Sequence, residues 1–430
     1  MCGIVGVFNK QREAASDLYT ALLQMQHRGK ESAAIVVSHQ GKMVLEGGMG
    51  EVPQAFYSKK LGELKGRVGI GHVRYGTAGA SSPRNLQPVK GIFRGQDFYI
   101  AHNGNLSNTD ELKIMVQAEP DASDTVAIAE LIEISPAPFF EDAILETLPK
   151  LRGAFSLILL FGESMYVVKD SFGFHPLQIG RREDDFIVAS ESCVFDHLGA
   201  EFVADVEPGE MLVIDSHGCV SRTWTTNTQF AFDIFEFIYF LRPDSVVHGV
   251  EAGLARYCMG KSLAKEHPID ADIVVPIADS GNEAALGYYE GLDKGSKTQF
   301  RPWALFRPHT VSRTFIEPVQ QMRERGVSLK FNARPTLISG KHVVLVDDSL
   351  VRATTLPKVT QLMRRAGATK VSAVISSPMY RYQDFYGIDT CRVHSELIAW
   401  SENGNVDAIR KKCGLDYLGY LSLDSTIKAV

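Results

Sequence analysis

Cys2 is the residue of this 430-residue chain with the most chemistry to offer, because removal of Met1, favoured by a small second side chain, would make it the N-terminus. Its thiol would then lie beside a free α-amine whose reference pKa, about 7.7–8.0, is close to working pH. Such an amine takes the thiol proton, directly or through water, and hands it to a leaving group, so one residue supplies nucleophile and general base. A lone Met-Cys start is more often only a cysteine at position 2. Four other segments change that balance: Gln26-His27-Arg28-Gly29, Gly71-His72-Val73-Arg74-Tyr75-Gly76-Thr77, Ala101-His102-Asn103-Gly104-Asn105 and Ser123-Asp124-Thr125. Together they carry what hydrolysis of the glutamine amide requires. Arg74 suits the α-carboxylate as a bidentate partner, and Asp124 suits the α-ammonium. The Asn103 side chain and the Gly104 N–H suit the tetrahedral oxyanion. Each segment alone also reads as a surface turn, Asn-Gly above all. The set, in this order, is hard to obtain by chance.

The second informative stretch is Val343-Val344-Leu345-Val346-Asp347-Asp348-Ser349-Leu350-Val351-Arg352-Ala353-Thr354-Thr355. Its apolar run fits a buried parallel strand with two acids at the carboxyl end, where open α/β sheets bind ligands. A loop with two threonines follows, then a helix with Pro357 near its first turn. Helix-start N–H groups with Thr354 and Thr355 form a phosphate cradle. Asp347 and Asp348 would hold ribose hydroxyls or a Mg²⁺ bridging ribose and pyrophosphate. The plain alternative is an acidic strand end before a capped helix, which explains less of so long a motif.

Two kinds of element must position these groups. In the first half, short β-rich runs (Ile4–Phe8, Ala33–Ser38, Lys42–Glu46, Phe98–His102, Phe155–Phe161, Met165–Lys169) alternate with turns. Two helices interrupt them. One is capped by Ser16 with Leu18, Ala21, Leu22 and Met25 on one face, and the other spans about Asp124 to Ile134. Strands dominate, which points to packed sheets with outer helices. The polar stretch Thr223–Gln229 marks a boundary, giving domains 2–225 and 226–430. Beyond it the rhythm becomes helical over Gly249–Glu266, strand over Asp272–Pro276, helical over Ser280–Glu290, strand over Val343–Val346, helical over Pro357–Ala366 and strand over Val371–Ile375. That alternation implies a parallel sheet covered on both faces. Residues 306–334, with Arg307, Arg313, Arg323, Arg325 and Arg334 and little apolar period, read as a mobile basic loop.

Composition narrows the setting. A 45% hydrophobic, 22% charged chain is globular, and a net charge of −6 gives no electrostatic reason for nucleic acid or an anionic membrane as partner. No apolar run reaches the roughly 20 residues of a membrane helix, and the N-terminus does not read as a signal peptide. The six cysteines (Cys2, Cys193, Cys219, Cys258, Cys391, Cys413) lie far apart, against a disulfide scaffold or zinc site. The cytoplasm is the expected location.

On these motifs the first half resembles the class II glutamine amidotransferase domain, an N-terminal-nucleophile hydrolase of αββα architecture, over roughly residues 2–225. The resemblance adds Thr77 and Arg28 to the glutamine-binding groups. Lys30-Glu31 stands where Gln-Asp is commoner, and Ala34 where glycine is usual. The second half resembles the phosphoribosylpyrophosphate (PRPP) motif of type I phosphoribosyltransferases, with Asp347, Asp348, Ser349, Arg352, Ala353, Thr354 and Thr355 on PRPP, and Ser280 joining Asp347 and Asp348 at Mg²⁺. Flanking stretches, Phe235–Ser245, Arg313–Ile316, Phe385–Asp389 and Leu418–Leu423, make the whole chain similar to the glutamine PRPP amidotransferase family. That similarity implies formation of 5-phosphoribosylamine from PRPP, glutamine and water, the first step of purine synthesis. It also implies an ammonia tunnel with Tyr239 in its lining, and a homo-oligomer, a dimer or tetramer. Departures gather in the second half. Ala353 and Leu356 replace the glycine and the last serine of Arg-Gly-Thr-Thr-Ser, and Arg307-Pro308-His309-Thr310 replaces Lys-Asn-Arg-Tyr. They motivate two competing expectations, a paralogue with an altered phosphosugar acceptor and a non-catalytic PRPP or nucleotide sensor. The intact Cys2, Arg74, Asn103, Gly104 and Asp124 set argues against the sensor. Asp233 and Asp384 stand where some members carry iron–sulfur cysteines, so no cluster is expected.

Overall fold

The computed structural model describes residues 1–57, 61–76, 85–293, 295–308, 331–388, 390 and 394–430. Thr77, Arg313, Arg323 and Arg325 lie outside them, with most of the basic loop. The chain divides into two compact units: Met1–Asp233 with Ser245–Gly249 and Asp384–Asp389, and Ile234–Asp244 with Val250–Gln383 and Thr390–Val430.

Among its described residues the two large sheets of the first unit hold thirteen strands: β1 Gly3–Phe8, β2 Ser32–His39, β3 Lys42–Met49, β4 Val68–Arg74, β5 Val89–Phe93, β6 Gln96–Leu106, β7 Gly153–Phe161, β8 Ser164–Lys169, β9 Gln178–Arg182, β10 Asp185–Ala189, β11 Glu201–Asp205, β12 Glu210–Asp215 and β13 Gly218–Thr223. They form two antiparallel sheets, ordered β11-β9-β10-β1-β4-β2-β3 and β13-β12-β8-β7-β6-β5. The pleat decides what each face meets. In β1, Val5 and Val7 turn outward under helix α1 (Ala14–Gln24), against Leu18 and Leu22. Ile4 and Phe8 turn inward and meet Tyr99 and Ala101 of β6 and Ile158 and Leu160 of β7. The outer face of the second sheet, through Phe98, Ile100, Leu157 and Leu159, is covered by α2 (Thr109–Val116), α3 (Asp124–Glu133) and α4 (Phe140–Thr147). The result is the expected αββα sandwich.

Local starts differ from expectation. Ser16 does not cap α1: Glu13 is the N-cap residue, and the helix is tied down by Ala14 N–H on Gly66 O (2.8 Å) and by the Glu13 carboxylate on Gly66 N–H. Ser123 does cap α3, accepting from Val126 N–H. Two helices, α2 and α4, were not foreseen.

The second unit is built on a parallel sheet ordered β15-β14-β16-β17-β18, where β14 is Ile273–Pro276, β15 Gln299–Phe300, β16 His342–Asp347, β17 Lys370–Ile375 and β18 Tyr417–Tyr420. Val343, Leu345 and Val371 face Leu356, Val359 and Met363 of helix α7 (Leu356–Arg365). Helix α6 (Asn282–Gly291) packs on β14 and β16 and is itself packed on helix α5 (Ala252–Glu266). Strands buried on both faces explain the unbroken apolar runs.

Candidate active site

In the first unit the pleat gathers the expected groups at one end of the gap between the sheets. Cys2 continues β1 in phase with Ile4. Arg74 and His72 share the inward phase of Ile70 on β4, and Asn103 that of Ala101 on β6. Gly3 pairs with Val73, so Cys2 stands beside the end of β4.

Asn103 is fully buried, and its two amide atoms have different fates. Its Oδ1 accepts from Cys2 N at 2.9 Å, while its Nδ2 has no hydrogen-bond partner. Met1 precedes Cys2 here, so that nitrogen is a peptide N–H standing in for the α-amine of the processed chain. A buried amide with one end on the N-terminus and a bare donor at the other is arranged to receive a developing negative charge. The sequence suggested a turn at Asn103-Gly104. β6 instead runs straight through them, pairing Asn103 with Ser156 and Gly104 with Phe155. Gly104 has φ +151°, and a Cβ there would sit 2.1 Å from Ala154 O, so only glycine fits.

The thiol lies 3.5 Å from Tyr75 N–H. Burial pushes the Cys2 thiol up from its ordinary value; the terminal ammonium, the Tyr75 N–H and Arg74 pull the other way. The resting thiol therefore keeps its proton until a base takes it. Arg28, expected against glutamine, is instead fully buried, donating from Nε to Cys2 O (2.9 Å) and from Nη1 to Glu191 (2.6 Å). Glu191 also meets His27 (2.6 Å) and Ser245 Oγ (2.6 Å). Burial would raise its carboxyl, but His27 and Arg28 hold it well below the usual range. Here Arg28 holds the Cys2 backbone carbonyl. Arg74 ends β4 with its Nη1 2.9 Å from Glu31, one of the departures from the family pattern.

Asp124 opens α3, with its carboxylate accepting from Thr125 N–H (2.8 Å) and Leu106 N–H (3.3 Å) and lying 3.7 Å from His102 Nδ1. Desolvation would raise it, yet His102 and these N–H groups keep it below its ordinary value, so it stays a carboxylate. The motif chemistry assigns no part to His102, Gln87 or His72. The Gln87 amide joins His102 N (2.9 Å) to Thr125 Oγ1 (3.0 Å), and His72 reaches His102 O. The two histidines stood in the quoted motifs, but nothing in their spacing showed what they would hold.

In the second unit Asp347 and Asp348 lie at the carboxyl end of β16, both buried. Asp348 bonds Ser349 Oγ and Ser280. Burial raises its proton affinity, opposed by those hydroxyls and by Arg256. Arg256 is itself buried, donating to Phe237 O (2.8 Å) and Leu241 O (2.7 Å) of the stretch that carries Tyr239. Ala353 has φ +51°, the left-handed conformation that glycine favours, and Thr355 is the N-cap residue of α7 without a side-chain cap bond. Thr354 is exposed beside it. Arg352 pairs with Glu396 (3.2 Å). The Leu356 side chain, which replaces the serine hydroxyl, is buried against Val359 and Met363 in the core.

An αββα sandwich with a buried cysteine at position 2 held by Asn103 fits the glutaminase class, and a family model described as a glutamine amidotransferase domain matches residues 72–197. The chain is 39% identical over 436 residues to amidophosphoribosyltransferase of Bacillus subtilis, covering 100% of this chain and 89% of that one. It is 38% identical to the Staphylococcus aureus protein of that name, over 100% and 86%. The solved B. subtilis glutamine PRPP amidotransferase, complexed with ADP and GMP, superposes with a TM-score of 0.90 at 38% identity, over 100% of this chain and 92% of that one. The chain belongs to the amidophosphoribosyltransferase family.

Proposed function

We propose that this chain, as an amidophosphoribosyltransferase, joins the ammonia of glutamine to PRPP, giving 5-phosphoribosylamine, pyrophosphate and glutamate, the opening step of purine synthesis. Residues 2–225 are the glutaminase and 226–430 the phosphoribosyltransferase. The observation that carries the glutaminase is the split role of Asn103, with Oδ1 on Cys2 N and Nδ2 bare. The Cys2 thiol adds to the glutamine amide carbon, its proton passing to the freed α-amine. Asn103 Nδ2 and Gly104 N–H hold the oxyanion. The amine returns the proton to the departing ammonia, and water then cleaves the thioester to glutamate. Arg74, Thr77 and Asp124 hold the α-substituents of glutamine, and Arg28 steadies the nucleophile.

At the second site Asp347, Asp348, Ser349, Arg352, Ala353, Thr354 and Thr355 bind PRPP, and ammonia displaces pyrophosphate from its anomeric carbon. The donor set suits Mg²⁺: hard oxygens of Asp347, Asp348 and Ser280, where a bound cation would offset the burial that raises the Asp348 proton affinity. When bound, Mg²⁺ would neutralise charge on the leaving pyrophosphate. Nothing favours the altered-acceptor or sensor readings. Ala353 adopts the conformation glycine would, and Leu356 is spent in the core, so neither departure dismantles the cradle. No helix is long and apolar enough to cross a membrane, among the described residues. A cytoplasmic homo-oligomer, dimer or tetramer, completes the proposal.

The test is purified protein with glutamine, PRPP and Mg²⁺. Glutamate and pyrophosphate are expected to appear in step, and Cys2→Ala to abolish glutamine use while sparing synthesis from ammonium. Glutamate release indifferent to PRPP would overturn the coupled reaction. Asp347→Ala is expected to abolish PRPP binding, and unchanged affinity would refute that assignment.

A further inference from the structure

Among the described residues, the inner end of β6 lacks a strand neighbour on one side. β5 pairs with it only as far as Val89 opposite Ile100, so the backbone N–H and C=O of the next outward-bonding residue, His102, meet no strand there among the described residues. Buried backbone groups of that kind must be satisfied by something else. Two side chains take the place of the missing strand. Gln87 Oε1 accepts from His102 N at 2.9 Å, and His72 Nε2 lies 3.1 Å from His102 O. Because a carbonyl only accepts, that ring nitrogen carries the proton. His72 is fully buried on β4, in register with Ile4 of β1 and Ala34 of β2, so its bond crosses from one sheet to the other. Its Nδ1 has no hydrogen-bond partner, so the Nε2 bond is the polar contact that fixes the ring. One residue further along β6, the Cys2–Asn103 bond crosses the same gap.

We propose that His72 is a positioning residue for the oxyanion hole: by closing the free edge of β6 at His102 it fixes the peptide that carries Asn103 and Gly104. It touches neither substrate nor thiol, and it acts through the carbonyl it holds. Catalytic donors misplaced by about 1 Å lose on the order of a hundredfold in rate, so release of this edge should appear in turnover rather than in binding.

This inference rests on the glutaminase reading above. The experiment uses the full chain with PRPP and Mg²⁺, comparing His72→Leu, which removes the donor, with His72→Gln, whose amide nitrogen reaches about as far as Nε2. For His72→Leu, kcat for glutamine should fall about tenfold or more with KM little changed. Synthesis from ammonium and the rate of Cys2 alkylation by iodoacetamide, which needs no oxyanion hole, should stay at wild-type values. His72→Gln should recover most of kcat. An unchanged kcat in His72→Leu, a parallel fall in alkylation and ammonium-supported synthesis, or a His72→Gln no better than His72→Leu would each overturn the proposal. If His72→Leu does not fold, His72→Asn, too short to reach His102, replaces it, and equal kcat for the Asn and Gln variants overturns the proposal. Glutamine hydrolysis surviving in Cys2→Ala would remove the nucleophile assignment and this inference with it. Strict Cys2 dependence with normal His72 variants removes this inference alone.

Discussion

Asn103 shows how much one side chain settles when both ends of its amide are accounted for. Truncation to alanine removes an oxyanion donor and the anchor of the N-terminus together. Asn103→Ala is therefore expected to lower glutamine-dependent kcat by about 10²–10³-fold, with ammonium-dependent synthesis intact; equal loss of both activities would show damage beyond the glutaminase. Ala353 makes a quieter prediction. A non-glycine residue at φ +51° costs roughly 1–2 kcal/mol, and glycine gives some of that back in unfolded-chain entropy. Ala353→Gly should thus stabilise the second unit by about 1 kcal/mol in urea unfolding; no gain would mean the loop carries no strain there. At this scale the sequence was legible where reaction chemistry restricts residue type, as for Cys2, Asn103 and Asp124. It put Arg28 against glutamine and gave His72 no part, because both side chains meet backbone carbonyls, and which carbonyl a side chain meets depends on the pleat and on pairing between distant strands.

At the scale of elements, β6 does two tasks, lining the sandwich through Tyr99 and Ala101 and presenting the oxyanion groups at its inner end. Asn-Gly suggested a turn because local propensity favours one, but pairing with β7 through Gly104 overrides it. Gly104→Ala should be among the most damaging single-methyl changes in the chain. It forces a side chain into φ +151° and against Ala154 O, for an expected loss of at least about 2–3 kcal/mol, readable as a lower urea midpoint. Near-wild-type stability would mean that β6 can shift away from β7. The long strands were readable from their apolar runs. α2 buries only Leu112 and shows little helical period, whereas α4 places Phe140, Ala143, Ile144 and Thr147 at helical spacing but is only two turns long and directly follows Pro136 and Pro138. The start of α1 is set by Gly66, some fifty residues away in sequence, which no local cap signal reveals.

At the scale of the molecule, the buried ionisable groups set its acid limit. Burial, reinforced by nearby Arg74 and His102, pulls His72 down to about 3 from 6.5, so the folded chain keeps that ring neutral while an unfolded chain protonates it. Below pH 6.5 the unfolded state therefore binds a proton that the folded state refuses. Stability present above that pH is lost as the pH falls toward 3. The slope is about 1.4 kcal/mol per pH unit, or roughly 2 kcal/mol by pH 5, a large share of a total of about 5–15 kcal/mol. Asp124 and Glu191, both held below their ordinary values, have the opposite charge type but the same direction. Their contribution is present above the normal carboxylate range and disappears only as pH falls below it. The window between pH 6.5 and 5 thus separates the histidines from these carboxylates; His248, also lowered by burial, shares it, so a change at His72 itself is needed to assign the slope. His72→Gln has no proton to gain, so its unfolding free energy, followed by amide exchange of β4 and β6, should fall less steeply over that window than wild type. Parallel slopes would mean that the folded chain protonates His72 over the same pH range as the unfolded chain, leaving a buried Nδ1–H without an acceptor.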